Sequence, residues 1–383
     1  PTQADLAQRL ATQFAEARSY EDALDRARIF GQEQKFLVGV RVLTGSLSVT
    51  EAGEAYTRLA ETLIDGLFRR VCAEFVVAHG EIPGGAAAVV AMGKLGGREM
   101  TAASDLDLML LYEADPLAES VGGERSISTA QYYARLTQRL ITAEGTLYET
   151  DFRLRPSGNK GPIAVSIGGF ADYQANEAWT WEHMALTRAR VISAPPEFAA
   201  RVEDEIRAAL LRPTDPRKLK DDVLSMRRLL EKEKGSKSPW EVKQVAGGLI
   251  DIEFIAQYLM LLHCPAHPEI LSTTTPVALE KLRDAGLLDA GAAETLTAAS
   301  RLYQGLTQIL RLAIDDAFRP ADATRGLSEM LLRIGDSPDL SHLEALLAET
   351  QKKTRESFLA LVGPLTRPDL SAAGELSEAS PKA

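Results

Sequence analysis

The stretch from Ala86 to Tyr112, AAAVVAMGKLGGREMTAASDLDLMLLY, constrains this chain more than any other. Two apolar runs flank a glycine-rich, charged connection, and the second run opens with Asp105-Leu106-Asp107. Short apolar runs bounded by glycine read as buried strands. Side chains along a strand alternate between its faces, so Asp105 and Asp107 project together. Two carboxylates crowded at the start of a hydrophobic strand repel each other, and a divalent cation between them relieves that repulsion. The plainer alternative is a solvated strand face with incidental acids.

What such a site could serve is narrowed by the rest of the chain. Its 383 residues are enough for two or three domains with substantial cores. An apolar fraction of 45% and a charged fraction of 25% belong to an ordinary soluble globular protein. No apolar run approaches the roughly 20 residues of a membrane helix, and the N-terminus lacks a signal-peptide pattern. The expected setting is therefore the cytoplasm, with no membrane partner. Cys72 and Cys264 lie far apart and suggest no disulfide framework. A formal net charge of −11 argues against nucleic-acid binding, which needs a basic surface. Any nucleotide handled should be small, or have its charge offset by metal and local arginines. Pro1 is not an initiator methionine and helical patterning starts almost at once, so a piece of a longer protein is expected.

Residues 1–80 read as an N-terminal helical segment. Apolar residues recur with a period near 3.6 through Leu6, Leu10 and Phe14, and again through Phe36, Val40 and Leu43. Ser48-Val49-Thr50-Glu51 is a capping box, predicting a helix over about 50–79 with a stripe of Tyr56, Leu59, Leu63, Leu67, Val71 and Phe75. Residues 81–212 read as one mixed α/β unit. Its expected elements are strands at Ala86–Met92 and Asp105–Tyr112, a helix at about 128–144, and a strand at Leu147–Arg155. A short strand near Ile163–Ser166, a largely helical Phe170–Arg190 and a return to the sheet at Val191-Ile192 complete it. Within LYETDFRLR, alternation places Glu149, Asp151, Arg153 and Arg155 on one face. After Pro213 and Pro216, residues 213–365 read as a helical bundle, with helices at about 217–234, 248–263, 275–286, 291–317, 325–334 and 341–362. A flexible tail is expected at 366–383. The fold class is α+β: a mixed-sheet domain flanked by helical segments.

If the strand holding Asp151 neighbours the one holding Asp105 and Asp107, three carboxylates converge on a space for two hard cations. Two magnesium ions so held can clamp a triphosphate and stabilise leaving pyrophosphate. Gly93, Gly96 and Gly97 permit close backbone approach and can cradle phosphate oxygens. Neither the P-loop order nor the dinucleotide fingerprint is present. Asp251 and Glu253, in GGLIDIEF, superficially repeat the theme. On a helix, positions two apart diverge by about 200°, so these acids cannot share one ion and are read as helix-start acids or as partners for basic groups at a domain interface. His263, Cys264 and His267 cluster, but flanking prolines and a missing fourth ligand argue against zinc. Lys232, Lys234 and Lys237 are read as a solvated helix end.

Gly96-Gly97 followed by Ser104-Asp105-Leu106-Asp107 resembles the signature of the DNA polymerase beta-like nucleotidyltransferase superfamily. AMGKLGGREMTAASDLDLMLLY, YETDFRLRPSGNKGP, NEAWTWEHMALTRARVI and GGLIDIEFIAQYL together resemble glutamine synthetase adenylyltransferase. That family carries two related catalytic halves, one attaching AMP to a tyrosine of glutamine synthetase and one removing it by phosphorolysis. A single D-x-D block implies one half, and Ala178–His183 looks like the C-terminal, adenylylating one. The resemblance implies ATP as substrate, two magnesium ions, and glutamine synthetase as protein substrate, with the PII signal protein as a further partner. It makes Asp105 and Asp107 metal ligands and Asp151 a third ligand or the general base. Gly96, Gly97 and Ser104 would hold phosphates, while Arg153 and Arg155 would counter developing charge or pair with Glu149. Trp179, Trp181 and His183 admit adenine stacking, substrate contact or core packing, with packing favoured for at least one tryptophan. Two rival readings stay open: the phosphorolytic, deadenylylating half, and a PII- or glutamine-sensing binding module.

Overall fold

The computed structural model of the chain describes residues 1–314 and 316–365. The tail expected at 366–383 lies outside the described residues. Three helices open the chain: α1 (Gln3–Ala15), α2 (Tyr20–Leu43) and α3 (Val49–His79). The capping box of α3 is formed, with Ser48 Oγ accepting the Glu51 N–H at 3.3 Å and the Glu51 carboxylate accepting the Ser48 N–H at 2.9 Å. Its apolar stripe from Tyr56 to Phe75 is buried. The second helix is present as its spacing predicts, but Phe36, Val40 and Leu43 lie exposed. The face of α2 that packs inward is instead built of Ala23, Ala27, Phe30 and Gly31. A Cβ at Gly31 would lie 2.7 Å from the Leu147 side chain, so the absence of one lets this layer close.

The middle of the chain is a mixed sheet with helices around it, and the molecule is of the α+β type. In order come β1 (Gly80–Glu81), β2 (Ala86–Ala91), α4 (Gly93–Gly96), β3 (Leu106–Glu113), β4 (Val121–Gly122), α5 (Thr129–Glu144), β5 (Thr150–Asp151), β6 (Ala164–Ser166), α6 (Ile167–Asn176), α7 (Thr180–Leu186), β7 (Arg190–Ser193) and α8 (Pro196–Leu210). The main sheet runs β5-β3-β2-β7, with β6 also paired to β3. β2 lies antiparallel to β3 and β7, whereas β5 and β6 lie parallel to β3. A separate two-stranded ribbon pairs β1 with β4.

Two expectations are corrected here. Leu147–Arg155 is not one strand: only Thr150 and Asp151 pair, and the chain then turns. The Asp151 carboxylate accepts the Arg153 N–H at 2.8 Å, a local side-chain bond that offers the backbone a turn in place of a ladder. Alternation therefore stops at Asp151. The helix expected over Phe170–Arg190 is two helices, broken where Glu182 accepts hydrogen bonds from the Trp179 N–H and the Tyr173 hydroxyl, each at 2.9 Å. Helix α8 was not anticipated.

The bundle follows as α9 (Pro216–Lys234), α10 (Leu249–His263), α11 (Thr275–Asp284), α12 (Ala290–Ala313), α13 (Arg325–Gly335) and α14 (Leu340–Leu361), the helices that spacing predicts. Buried side chains form one continuous cluster from Leu6 to Val362, so the bundle shares its core with the sheet. Among the described residues no helix is long and apolar enough to cross a membrane.

Candidate active site

The sheet register brings the carboxylates together. Asp107 and Asp151 are directly opposed on the parallel strands β3 and β5, and Asp105 lies just before the start of β3, near enough for its charge to act on Asp107. The Leu106 N–H donates to the Glu149 carbonyl at 2.8 Å, which locks the two strand starts in step. Burial, and then the negative charges of Asp105 and Asp151, push the Asp107 carboxyl up to about 6. Burial works in the same direction on Asp151, but Arg153 outweighs it and holds that carboxyl below the usual range. The Arg153 guanidinium spans both oxygens of Asp151, with Nε at 2.9 and 2.8 Å and Nη2 in a second contact. Arg153 is thus the counter-charge on the outer side of the site.

The glycine-rich loop closes over the other side, and its glycines divide the labour differently from the expectation. Gly93, with φ 53°, sits against the acid: an added Cβ would lie 1.9 Å from Asp107 Oδ2. At Gly96 a Cβ would meet the Arg188 carbonyl oxygen at 1.8 Å, and at Gly97 the Arg188 guanidinium at 2.1 Å. Gly96 and Gly97 are buried against Arg188, so their smallness answers to packing. Ser104 is buried too, and its Oγ accepts the Thr101 N–H at 2.9 Å, tying the loop's turn. Arg155 is buried and donates to the carbonyls of Phe152 (2.6 Å) and Pro162 (2.9 Å), which shapes the loop after β5. Neither Arg153 nor Arg155 pairs with Glu149.

Arg188, just before β7, organises the junction and carries no motif of its own. Its guanidinium pairs with Glu99 of the loop and, at 3.0 Å, with Glu253 of α10. Burial would favour losing its charge, but these two carboxylates hold the proton more firmly than usual. Glu99 also accepts the Thr275 N–H at 3.1 Å, and the Gln308 amide donates to the Met100 carbonyl at 2.7 Å. Helices α10, α11 and α12 therefore grip the loop beside the carboxylates. Asp251, fully buried, accepts from Arg227, from the Gly247 N–H at 2.8 Å and from Arg355 at 3.0 Å. Both acids of the GGLIDIEF segment serve basic groups, the second of the two roles expected for them. Trp179 is half exposed at the start of α7, Trp181 is partly buried, and His183 Nε2 lies 3.2 Å from the Gln174 carbonyl oxygen.

Three acid side chains with crowded charge are the donor set of a hard divalent cation, and Gly93 leaves the Asp107 oxygen uncovered by a side chain. Among the described residues no three His, Cys, Asp or Glu side chains form a ready-made cation cage. The carboxylates of Asp105 and Asp107 have the donor chemistry that suits magnesium, while both Asp151 oxygens are taken by Arg153.

A family profile described as glutamate-ammonia ligase adenylyltransferase matches residues 1–205, more than half of the chain. The chain belongs to that family. A second profile, described as GlnD PII-uridylyltransferase, matches residues 217–355. Among the family's curated members, the bifunctional glutamine synthetase adenylyltransferase/adenylyl-removing enzyme of Xanthobacter autotrophicus is 52% identical over 365 residues, 94% of this chain and 37% of that enzyme. The enzyme of the same name from Rhodopseudomonas palustris is 49% identical over 369 residues, again 37% of its length, and that of Bradyrhizobium diazoefficiens is 49% identical over 368. The chain thus spans little more than a third of the relatives it matches.

Proposed function

We propose that this chain is the adenylylating half of such an enzyme: a nucleotidyltransferase moving AMP from ATP to a tyrosine of glutamine synthetase, in the cytoplasm. The observation that carries the reading is the register Asp107 opposite Asp151, with Asp105 alongside and a glycine loop next to them. We take residues 81–212 as the nucleotidyltransferase unit. The bundle at 213–365 is its helical partner, and the PII signal protein is a candidate regulator. In the reaction the tyrosine oxygen bonds to the α-phosphorus and the bond from that phosphorus to the β-phosphate oxygen breaks. Pyrophosphate leaves with the electron pair. The phenol, with a pKa of about 10, must lose its proton on attack, and a nearby carboxylate can take it. Asp105, Asp107 and Asp151 would hold magnesium, which supplies charge withdrawal at phosphorus and stabilisation of the leaving group when bound. Asp151, spanned by the Arg153 fork, suits a ligand better than a base. Arg153 stands where negative charge builds up during transfer. Gly93 and the backbone around it give the phosphates a close approach.

Incubation with ATP, magnesium and unmodified glutamine synthetase should give an AMP-tyrosine adduct and pyrophosphate, read by mass spectrometry. Asp105→Asn combined with Asp107→Asn should abolish the adduct. Full activity in that double variant refutes the assigned acids. Release of ADP from already modified glutamine synthetase and phosphate, with no adduct formed from ATP, would assign the chain to the adenylyl-removing direction.

A further inference from the structure

Small side chains open a groove beside β7, at the opposite end of the sheet from the strand that carries Asp151. Helix α1 rests on α3 at Gly66, where an added Cβ would lie 2.7 Å from the Leu10 side chain and 3.2 Å from that of Phe14. Beside this contact the two helices present alanines, Ala7 and Ala11 on α1 and Ala73 on α3, and the end of β7 adds Ile192 and Ala194. The space left between them is about 520 Å³, within the usual range of small-ligand sites. Three charged side chains line it: Asp65, Arg69 and Arg70. Asp65 is satisfied, accepting from Arg69 Nε at 3.0 Å and from the Ser193 hydroxyl at 2.6 Å. Arg70 is not. It is partly buried, its Nε is shut away from water without a partner, and among the described residues its guanidinium makes no hydrogen bond or ion pair. Glu74 and Arg139 stand in the same neighbourhood, both acting on Tyr20 of α2, and their charges are opposite. The charge left over in the groove is therefore that of Arg70. A guanidinium drawn partly out of water without an acceptor is costly, and a carboxylate, which can take two of its N–H groups at once, removes that cost.

We propose that this groove is a binding site for a small organic carboxylate with an apolar tail, the carboxylate held by Arg70 and the tail laid along the alanines between α1 and α3. The claim is independent of the nucleotidyltransferase reading, since none of the three acids lines the groove. Its far wall nevertheless reaches the glycine loop through one strand. β7, which supplies Ile192 and Ser193 to the groove, begins with Arg190, and Arg190 donates to the carbonyls of Leu95 at 3.1 Å and Gly96 at 3.3 Å. A ligand seated against β7 thus steadies, from outside, the strand that holds this loop.

The test is titration calorimetry of the full chain with octanoate, which joins one carboxylate to an apolar tail. Octanol has the tail without the charge and acetate the charge without the tail. Octanoate should bind at one site per chain, and each of the other two at least about tenfold more weakly, because each lacks one of the two contacts. Arg70→Met keeps most of the side chain's apolar length and loses its charge; it should weaken octanoate by about tenfold or more and leave octanol unchanged. Ala11→Phe, at an exposed position of α1, fills the groove and should abolish octanoate binding. No octanoate binding, equal affinity for octanoate and octanol, or unchanged octanoate affinity in a folded Arg70→Met chain overturns the proposal. Should Arg70→Met fail to fold, unchanged octanoate affinity in the Ala11→Phe chain does the same. Sedimentation showing a concentration-dependent dimer that Ala11→Phe abolishes and octanoate leaves intact would give the groove to a second copy of the chain, which also overturns it.

Discussion

Buried charge is where single residues speak most clearly in this protein. Glu144, at the end of α5, is fully buried, and both its carboxylate oxygens lack a hydrogen-bond partner among the described residues. Burial pushes its carboxyl up to about 8. The buried Tyr148 ring beside it carries Lys35 at 3.4 Å from its centroid, and burial lowers that ammonium to about 8. An acid whose folded pKa exceeds its unfolded one keeps a proton that the unfolded chain releases. Stability is then unaffected below about 4.5, falls as pH rises to about 8, and levels off above it. Glu144→Gln, neutral throughout, should therefore become more stable relative to the parent by about 1.4 kcal/mol per pH unit across that window. Urea denaturation at pH 5 and pH 8 checks this; an equal difference at both values contradicts it. Nothing in the sequence marks Glu144, since its helical position resembles that of any surface glutamate until α3 packs on α5.

Among the elements, the connection from Gly93 to Ser104 is the one whose conformation the whole site depends on. It is held by packing at Gly96 and Gly97, by the Ser104 turn, and by bonds from α11 and α12 to Glu99 and Met100. A Cβ at Gly96 would strike backbone oxygens of Arg188 and Ala91, atoms that cannot swing aside. Gly96→Ala should cost about 1–3 kcal/mol and displace the loop from the carboxylates, raising the KM for ATP. Gly326 in α13 is the matched control, with nothing within 4 Å of an added Cβ. There alanine should stabilise by up to about 1 kcal/mol through helix propensity. Equal effects at the two sites, in thermal melts and ATP kinetics, would refute the packing role. The pattern G-x-x-G-G made this loop visible in the sequence. Which glycine meets the acid and which meets Arg188 depends on the path of β7, and spacing carries no information about that.

At the scale of the whole molecule, Arg188 joins the pieces. It is buried between Glu99 of the loop and Glu253 of the bundle, inside a core that runs unbroken through all segments. Arg188→Met leaves two carboxylates facing each other without their cation, and should cost about 3–5 kcal/mol, the usual penalty for breaking a buried pair. The chain should still unfold in one transition, because no segment has a core of its own to retain. A melting temperature equal to the parent's, or separate transitions for sheet and bundle, would contradict this. The assembly also explains an apparent anomaly of α2, where Phe36, Val40 and Leu43 follow helical spacing yet lie exposed. Periodicity identifies an apolar face; it does not supply the surface that covers it.

Local chemistry was enough for the helices of both ends, the capping box at Ser48, the two central strands and the pairing of Asp105 with Asp107, because each follows from side-chain period or from bonds within a few residues. Asp151 was legible as a third carboxylate, but its position opposite Asp107 is a property of strand register, set by the Leu106–Glu149 bond and by the turn that ends β5. Arg188, Glu99 and Glu253 come together only because the bundle folds back on the sheet, joining residues as far as 208 positions apart, as between Gln308 and Met100. Charges that distant in the chain interact through the space the fold encloses, and that space is decided by tertiary packing.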